Sequence, residues 1–240
     1  MWLPRPVPCG CRPAGVRRYH RTVRWPWRKR DFDRTEVLAA ADVARARGRR
    51  RQAIAGYRRV LEANPSDLTV HARIAPLLAA SGDREAALAS FRTAADGQAK
   101  AGFHERALSL FIQAVEHFPD EEPLWPEIAR LHLQRGRRAE AVAALVNGGW
   151  RLHLARRHDV AERVLRLALQ FEPHDADAIA ILARTVNAAG RRDEAVELLE
   201  GLAARTRGRR RAAIRGILFR VHPTFGHLGA WLRALLTPNR

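Results

Sequence analysis

The chain has 240 residues and a formal net charge of +18, from 43 basic and 25 acidic residues. No apolar stretch approaches the roughly 18 residues that a membrane-spanning helix needs, so we expect a soluble, cytoplasmic protein. Its two cysteines, Cys9 and Cys11, are too few for a four-ligand zinc site, and no histidine pair follows them at finger spacing. We therefore predict free thiols and no metal site.

Residues 1–33 are rich in Pro, Gly, Trp and Arg and show no helical period. We predict a disordered basic leader. Three interpretations stay open. The segment is a leader that has no fold or that precedes the true first residue of the protein, an arm that binds a surface, or a targeting segment. The side chains that could contact nucleic acid or anionic lipid are basic residues interleaved with aromatic ones, namely Arg21, Arg24, Arg28, Lys29 and Arg30.

A signature of glycine, small residue, large apolar residue and small residue then recurs, and in some copies a proline follows. Glycine closes a helix in the left-handed conformation, the small residues leave room for a neighbouring helix, and proline ends the next helix. Copies start alternately 34 and 20 residues apart, so the whole pattern repeats every 54 residues. The copies with proline start at Gly48, Gly102 and Arg156 and end at Pro65, Pro119 and Pro173; those without it start at Gly82, Gly136 and Gly190.

The recurring glycines and prolines predict a chain of about twelve helices. No apolar run with period two indicates a strand, so we expect an all-α fold. The 20-residue steps are one helix short of a pair, so helices 84–101 and 138–155 should each belong to two successive pairs. A three-helix unit every 54 residues follows. The predicted helices are near 35–47, 50–63, 68–81, 84–101, 104–118, 122–135, 138–155, 158–171, 176–189, 192–206, 209–221 and 226–236.

The 34-residue step and its small, aromatic, small and proline order, as in Ala53, Tyr57, Val60 and Pro65, resemble the tetratricopeptide repeat family. The resemblance covers roughly residues 34–206. It implies a right-handed solenoid of helical hairpins, which holds a segment of another protein in a groove lined by the first helix of each pair.

The groove positions that this resemblance implies are spread over six helices. They are Asp42, Arg45, Thr69, Ala72, Arg92, Asp96, Arg130, Gln134, Trp150, His153, Arg184 and Asn187. Arg92, Arg130 and Arg184 would form a basic line suited to an acidic peptide or a terminal carboxylate. A solvated face is the alternative for each position, and Trp150, in the middle of a shared helix, is expected in the core.

The basic excess lies at the two ends of the chain. Residues 1–34 hold ten basic and two acidic residues, and residues 205–240 hold nine arginines and no acid. Ends of this kind are typical of contact with RNA, an anionic membrane or an acidic protein. The alternative is GC-rich codon usage, which favours arginine without selection for any ligand, since 41 of the 43 basic residues are arginine.

We predict two basic amphipathic helices within residues 207–240 and expect them to cap the last exposed face of the stack. Ile214 and Leu218 belong to the apolar stripe of the first helix, and Leu228 and Trp231 to that of the second. Peripheral membrane contact is the alternative role. The basic residues assigned to such a contact are Arg209, Arg210, Arg211 and Arg215.

The sequence contains no HExxH motif, phosphate-binding glycine loop or nucleophile elbow, and its ten histidines are scattered. We therefore predict no catalytic residue and no cofactor. The leading hypothesis is a noncatalytic protein-interaction scaffold in a bacterial cytoplasm. The alternative is an RNA-binding or anionic-membrane-binding protein that acts through its basic termini.

Overall fold

The structure is a computed structural model and describes residues 33–236. Within that range it contains twelve α-helices and no strand, which confirms the predicted all-α fold. The helices are α1 (Arg34–Ala46), α2 (Arg50–Ala63), α3 (Leu68–Ala80), α4 (Arg84–Lys100), α5 (His104–His117), α6 (Leu124–Gln134), α7 (Arg138–Leu154), α8 (His158–Phe171), α9 (Ala176–Ala188), α10 (Arg192–Arg205), α11 (Gly208–Val221) and α12 (Phe225–Leu236). Every helix end lies within two residues of the predicted one.

Residues 1–32 of the predicted leader, with Cys9, Cys11 and the basic residues Arg21, Arg24, Arg28, Lys29 and Arg30, lie outside the described residues. No helix among the described residues is long and apolar enough to span a membrane.

The predicted corners between helices all have left-handed backbone. The φ angles run from 59° at Arg156 to 87° at Gly190. At the α4–α5 corner the amide of Gly102 donates to the carbonyl of Ala99 at 3.0 Å, and the amide of Phe103 donates to Gln98 at 2.9 Å, which closes α4. The 34- and 20-residue spacing of the corners fits the three-helix unit.

Each helix packs against the next one in the chain, and helices two apart also meet: α3 with α5, α7 with α9, and α9 with α11. Polar pairs between side chains join odd-numbered helices to each other and even-numbered helices to each other. In the odd series they are Arg73–Asp42, His153–Thr185 and Arg210–Asp177. In the even series Arg166–Glu194 joins α8 to α10, while Arg58 of α2 and Arg163 of α8 pair with Asp83 and Glu122, which lie just before α4 and α6. The helices therefore pack as an odd row and an even row.

The repeated signature forms the core. Ala53, Tyr57 and Val60 on one face of α2 are completely buried. The corresponding residues of α5 and α8 are also buried: Ala107, Phe111 and Ala114, then Ala161, Leu165 and Ala168. Because positions four apart stack on one helix face, small residues on either side of a large one let the neighbouring helices approach closely.

The last two helices differ in burial. Ile214, Leu218 and Val221 of α11 belong to the apolar cluster that α9 and α10 also form. No residue of α12 is buried, although Trp231 stacks on Phe219 of α11 with ring centres 6.0 Å apart. Thus α11 covers the apolar side chains at the end of the stack, and α12 packs on α11.

Candidate functional site

A cleft of about 640 Å³ lies between α7, the α8–α9 loop and the first half of α9. Its apolar lining comes from one face of α7, where Val142, Val146 and Trp150 are spaced four residues apart, and from Ile181 of α9. The four-residue spacing aligns these side chains along the cleft.

Trp150 lies at the surface of this cleft and is only partly buried, so the expectation that it belongs to the core is wrong. Its neighbours explain the difference. The Arg184 guanidinium carbon lies 5.8 Å from the indole ring, and the His153 ring stacks on the indole at 5.5 Å. These polar groups flank the indole where core side chains would otherwise enclose it, and a cationic guanidinium is attracted to an aromatic face.

His153 is fixed by a hydrogen bond across the odd row. The Thr185 hydroxyl donates its single proton to the Ile181 carbonyl at 2.8 Å, so it accepts from Nδ1–H of His153 at 3.2 Å. Burial lowers the pKa of His153, and the nearby His158 and Arg184 lower it further. The ring is therefore neutral at pH 7, with Nε2 free to accept a hydrogen bond.

The rim of the cleft carries three carboxylates, from Glu172, Asp175 and Asp177, and one guanidinium, from Arg138. Asp175 is the N-cap of α9 and accepts from the Ala178 amide at 2.7 Å. Asp177 pairs with Arg210 of α11 at 3.0 Å, and both side chains are mostly exposed. Arg138 donates to the carbonyl of Phe171. Because Arg210 balances Asp177 and Asp175 caps α9, Glu172 is the rim carboxylate that has no such partner among the described residues.

Several predicted groove residues are occupied by contacts within the protein. Asp42 accepts from the buried Tyr57 hydroxyl at 2.6 Å and from Arg73 at 2.6 Å. Arg92 pairs with Glu121 at 3.0 Å, and Arg130 pairs with Glu127 at 2.6 Å. Two arginines of the predicted basic line are thus ion-paired, and the third, Arg184, lies over Trp150.

The remaining predicted groove residues lie at the surface. Arg45 is exposed, 3.9 Å from Asp42. Thr69, Asp96 and Gln134 are exposed, and Ala72 and Asn187 are partly exposed. The polar side chains among these have no hydrogen-bond partner within the described residues. Of the predicted groove positions, the structure brings Trp150, His153 and Arg184 together.

The predicted basic residues of α11 differ in their surroundings. Arg209 is exposed, Arg211 and Arg215 are partly exposed, and Arg210 is paired with Asp177. Across residues 33–236 there is no group of three or more His, Cys, Asp or Glu side chains that could hold a metal ion.

Residues 152–216, from the end of α7 into α11, match the family model for the tetratricopeptide repeat. Outside that range, the same signature and left-handed corners recur from Gly48 onward. Residues 152–216 are thus of the tetratricopeptide repeat type.

No curated protein matches the sequence. Among solved structures, a tetratricopeptide repeat protein from Parabacteroides merdae has 13% identity, with 86% of this chain and 93% of that chain covered and a TM-score of 0.32. PilW, a type IV pilus biogenesis factor, has 18% identity, coverage of 86% and 93% and a TM-score of 0.31. PilF of Pseudomonas aeruginosa has 14% identity, coverage of 85% and 89% and a TM-score of 0.29.

Proposed function

We propose that this protein is a noncatalytic scaffold that holds a segment of another protein in the cleft between α7 and α9. Stacked helical repeats present extended surfaces that suit this task. The observation that carries the proposal is Trp150, a large aromatic side chain that lines an open cleft. Tryptophan and arginine are among the residue types that contribute most of the binding energy at protein interfaces.

The size and lining of the cleft support a peptide side chain as the bound group. A volume of about 640 Å³ lies within the range of roughly 300–1,000 Å³ typical of ligand sites. Val142, Val146 and Ile181 provide an apolar lining beside Trp150. An apolar or aromatic anchor residue of the partner would fill this space.

The charge of the rim favours a basic residue next to that anchor. Glu172 is exposed and has no ion pair among the described residues, and Asp177 pairs only with the exposed Arg210. A lysine or arginine of the partner would meet these carboxylates. An acidic segment, the partner expected from Arg92, Arg130 and Arg184, would have to displace Glu121 and Glu127 from two of these arginines. We therefore favour a segment that is apolar and basic.

Selection of peptides from a displayed random library on the full-length protein, followed by affinity measurement on the selected peptides, tests this proposal. Trp150→Ala should weaken binding by about tenfold or more, because it removes the main apolar contact. Phe103→Ala is the matched control, since Phe103 is an exposed aromatic residue outside the cleft and Arg106 lies over its ring at 4.8 Å. Equal affinities for the Trp150→Ala and wild-type proteins would exclude the cleft.

The double variant Glu172→Gln/Asp177→Asn tests the charge of the partner. It should weaken the binding of selected peptides that carry a basic residue, and the loss should shrink as salt is added. Glu197→Gln/Glu200→Gln, on the exposed face of α10, is the matched control. Selection of acidic peptides that bind the carboxamide variant more tightly would overturn the assignment of a basic partner.

A further inference from the structure

The helix α12 exposes a stripe of large apolar side chains. Phe225 is 94% exposed, Leu232 is 47% exposed and Leu236 is 81% exposed. At about 100° per residue these three positions fall within a sector of about 40°. Together with Leu235, they make up half of the exposed large apolar residues in the described chain. The exposure is thus concentrated on one side of one helix.

Basic side chains flank this helix on α11. The indole nitrogen of Trp231 lies so close to Gly216 that an added Cβ would be 3.0 Å from it, so Gly216 marks the side of α11 that carries α12. Arg209 and Arg220 lie within about 40° of Gly216 around the α11 axis. Both are exposed, and neither has a carboxylate partner among the described residues.

Exposed apolar residues and unbalanced positive charge together indicate what kind of surface would cover α12. Residues 205–240 contain nine arginines and no acidic residue, so a second copy of this hairpin would place arginines against arginines. An anionic lipid surface matches both properties, because acyl chains accept the apolar stripe and headgroups attract the arginines. The twelve residues of α12 span about 18 Å, which suits a helix lying in the interface.

We propose that α12, supported by Arg209 and Arg220 of α11, docks the protein on the surface of an anionic bilayer. Phe225, Leu232 and Leu236 enter the boundary between headgroups and acyl chains. This contact is independent of the α7–α9 cleft and would place the scaffold at a membrane.

Co-sedimentation of the full-length protein with vesicles of phosphatidylcholine and phosphatidylglycerol, and with pure phosphatidylcholine vesicles, tests the proposal. The wild-type protein should prefer the anionic vesicles. Leu232→Ser/Leu236→Ser should weaken binding to them by about tenfold or more, since two apolar contacts are lost. Arg209→Gln/Arg220→Gln should weaken it by about 20- to 30-fold. Matched controls are Ile112→Ser, exposed on α5, and Arg51→Gln/Arg59→Gln, exposed on α2.

Unchanged binding of the Leu232→Ser/Leu236→Ser variant would overturn the proposal, because contact would then come from other basic parts of the chain. Light scattering after gel filtration gives the second readout. If the wild-type protein is a dimer that does not bind vesicles, and the variant is a monomer, the stripe contacts a second copy of the chain. A monomer that does not bind anionic vesicles would also overturn it. Circular dichroism should be unchanged, since the substituted side chains are exposed.

Discussion

Arg156, at the corner between α7 and α8, has the same left-handed backbone as Gly102 at the corner between α4 and α5, with φ angles of 59° and 82°. A β-carbon makes this conformation unfavourable by about 1–2 kcal/mol, while glycine adopts it freely. Arg156→Gly should therefore raise the free energy of unfolding by about 0.5–1 kcal/mol, after allowance for the greater freedom of glycine in the unfolded chain. Urea unfolding followed by circular dichroism measures the change.

Gly102→Ala is the reciprocal substitution. A Cβ there would meet no atom within 4 Å, so the cost is purely conformational and should lower stability by about 1 kcal/mol. A loss of stability in Arg156→Gly would show that the arginine side chain contributes more than its backbone costs.

The fold could be predicted because each helix boundary is marked by local chemistry. Glycine at a left-handed corner and proline two residues beyond the end of α2, α5 and α8 locate helices without knowledge of tertiary contacts. Even Arg156 was placed correctly, because the spacing of the neighbouring copies located the corner. The boundary that deviates most is the start of α6, where Glu121, Glu122 and Pro123 precede the helix.

The glycines in the middle of α7 are a packing requirement. An added Cβ at Gly148 would lie 2.5 Å from ring atoms of Trp125, whose indole is 3% exposed and donates to the Pro119 carbonyl at 3.1 Å. Because Trp125 is buried and its indole nitrogen is fixed by this hydrogen bond, Gly148→Ala should lower the free energy of unfolding by about 1–3 kcal/mol. Thermal or urea unfolding measures this loss.

Gly201→Ala is the control, since Gly201 is also inside a helix but faces open space. That substitution should raise stability by up to about 1 kcal/mol through helix propensity alone. An unchanged free energy of unfolding in Gly148→Ala would mean that α6 and α7 can move apart without loss of stability.

Asp42 should affect stability rather than binding. It accepts hydrogen bonds from Tyr57, which is completely buried, and from Arg73. Burial raises the pKa of Tyr57 to about 12, and the hydrogen bond to Asp42 contributes to the shift. Asp42→Ala leaves the hydroxyl without a partner, so stability should fall by about 1–3 kcal/mol.

Asp96→Ala, at an exposed position of the same predicted groove, should change stability by less than about 0.5 kcal/mol. Adding Tyr57→Phe to Asp42→Ala should recover part of the loss, because the orphaned hydroxyl is removed. No recovery would assign the cost to Arg73 instead.

The site was harder to predict than the fold because it depends on which helices lie side by side. In the predicted three-helix unit, α4 and α7 each belong to two pairs, so the first helix of a predicted pair changes from one row to the other along the chain. Arg92 and Arg130 lie on helices of the even row, and Arg184 lies on α9 of the odd row. The Glu127–Arg130 pair, three residues apart, was visible in the sequence. The Arg92–Glu121 pair, which joins different elements, was not.

Glu162 of α8 should make stability depend on pH. It accepts hydrogen bonds from Arg191, the N-cap residue of α10, and from Arg166, and its side chain is 15% exposed. The hydrogen bond from Arg191 lowers the pKa of Glu162 below its ordinary value of 4.5; burial opposes this shift, and Arg166 adds to it. A folded-state pKa below the unfolded one means that the ionised carboxylate stabilises the fold above pH 4.5 and that this contribution is lost as the pH falls through the folded-state pKa.

Glu162→Gln should therefore lower the free energy of unfolding at pH 7 by about 1 kcal/mol, since an ion pair with partly exposed arginines is worth no more than that. The difference from wild type should shrink as the pH is lowered below 4.5, when the wild-type carboxyl also becomes neutral. Urea unfolding at a series of pH values measures it. Glu200→Gln, exposed on α10 and without an ion pair among the described residues, should leave stability unchanged at each pH. A deficit in Glu162→Gln that stays constant down to low pH would show that the amide group of the glutamine, rather than the loss of charge, disturbs the contact between α8 and the start of α10.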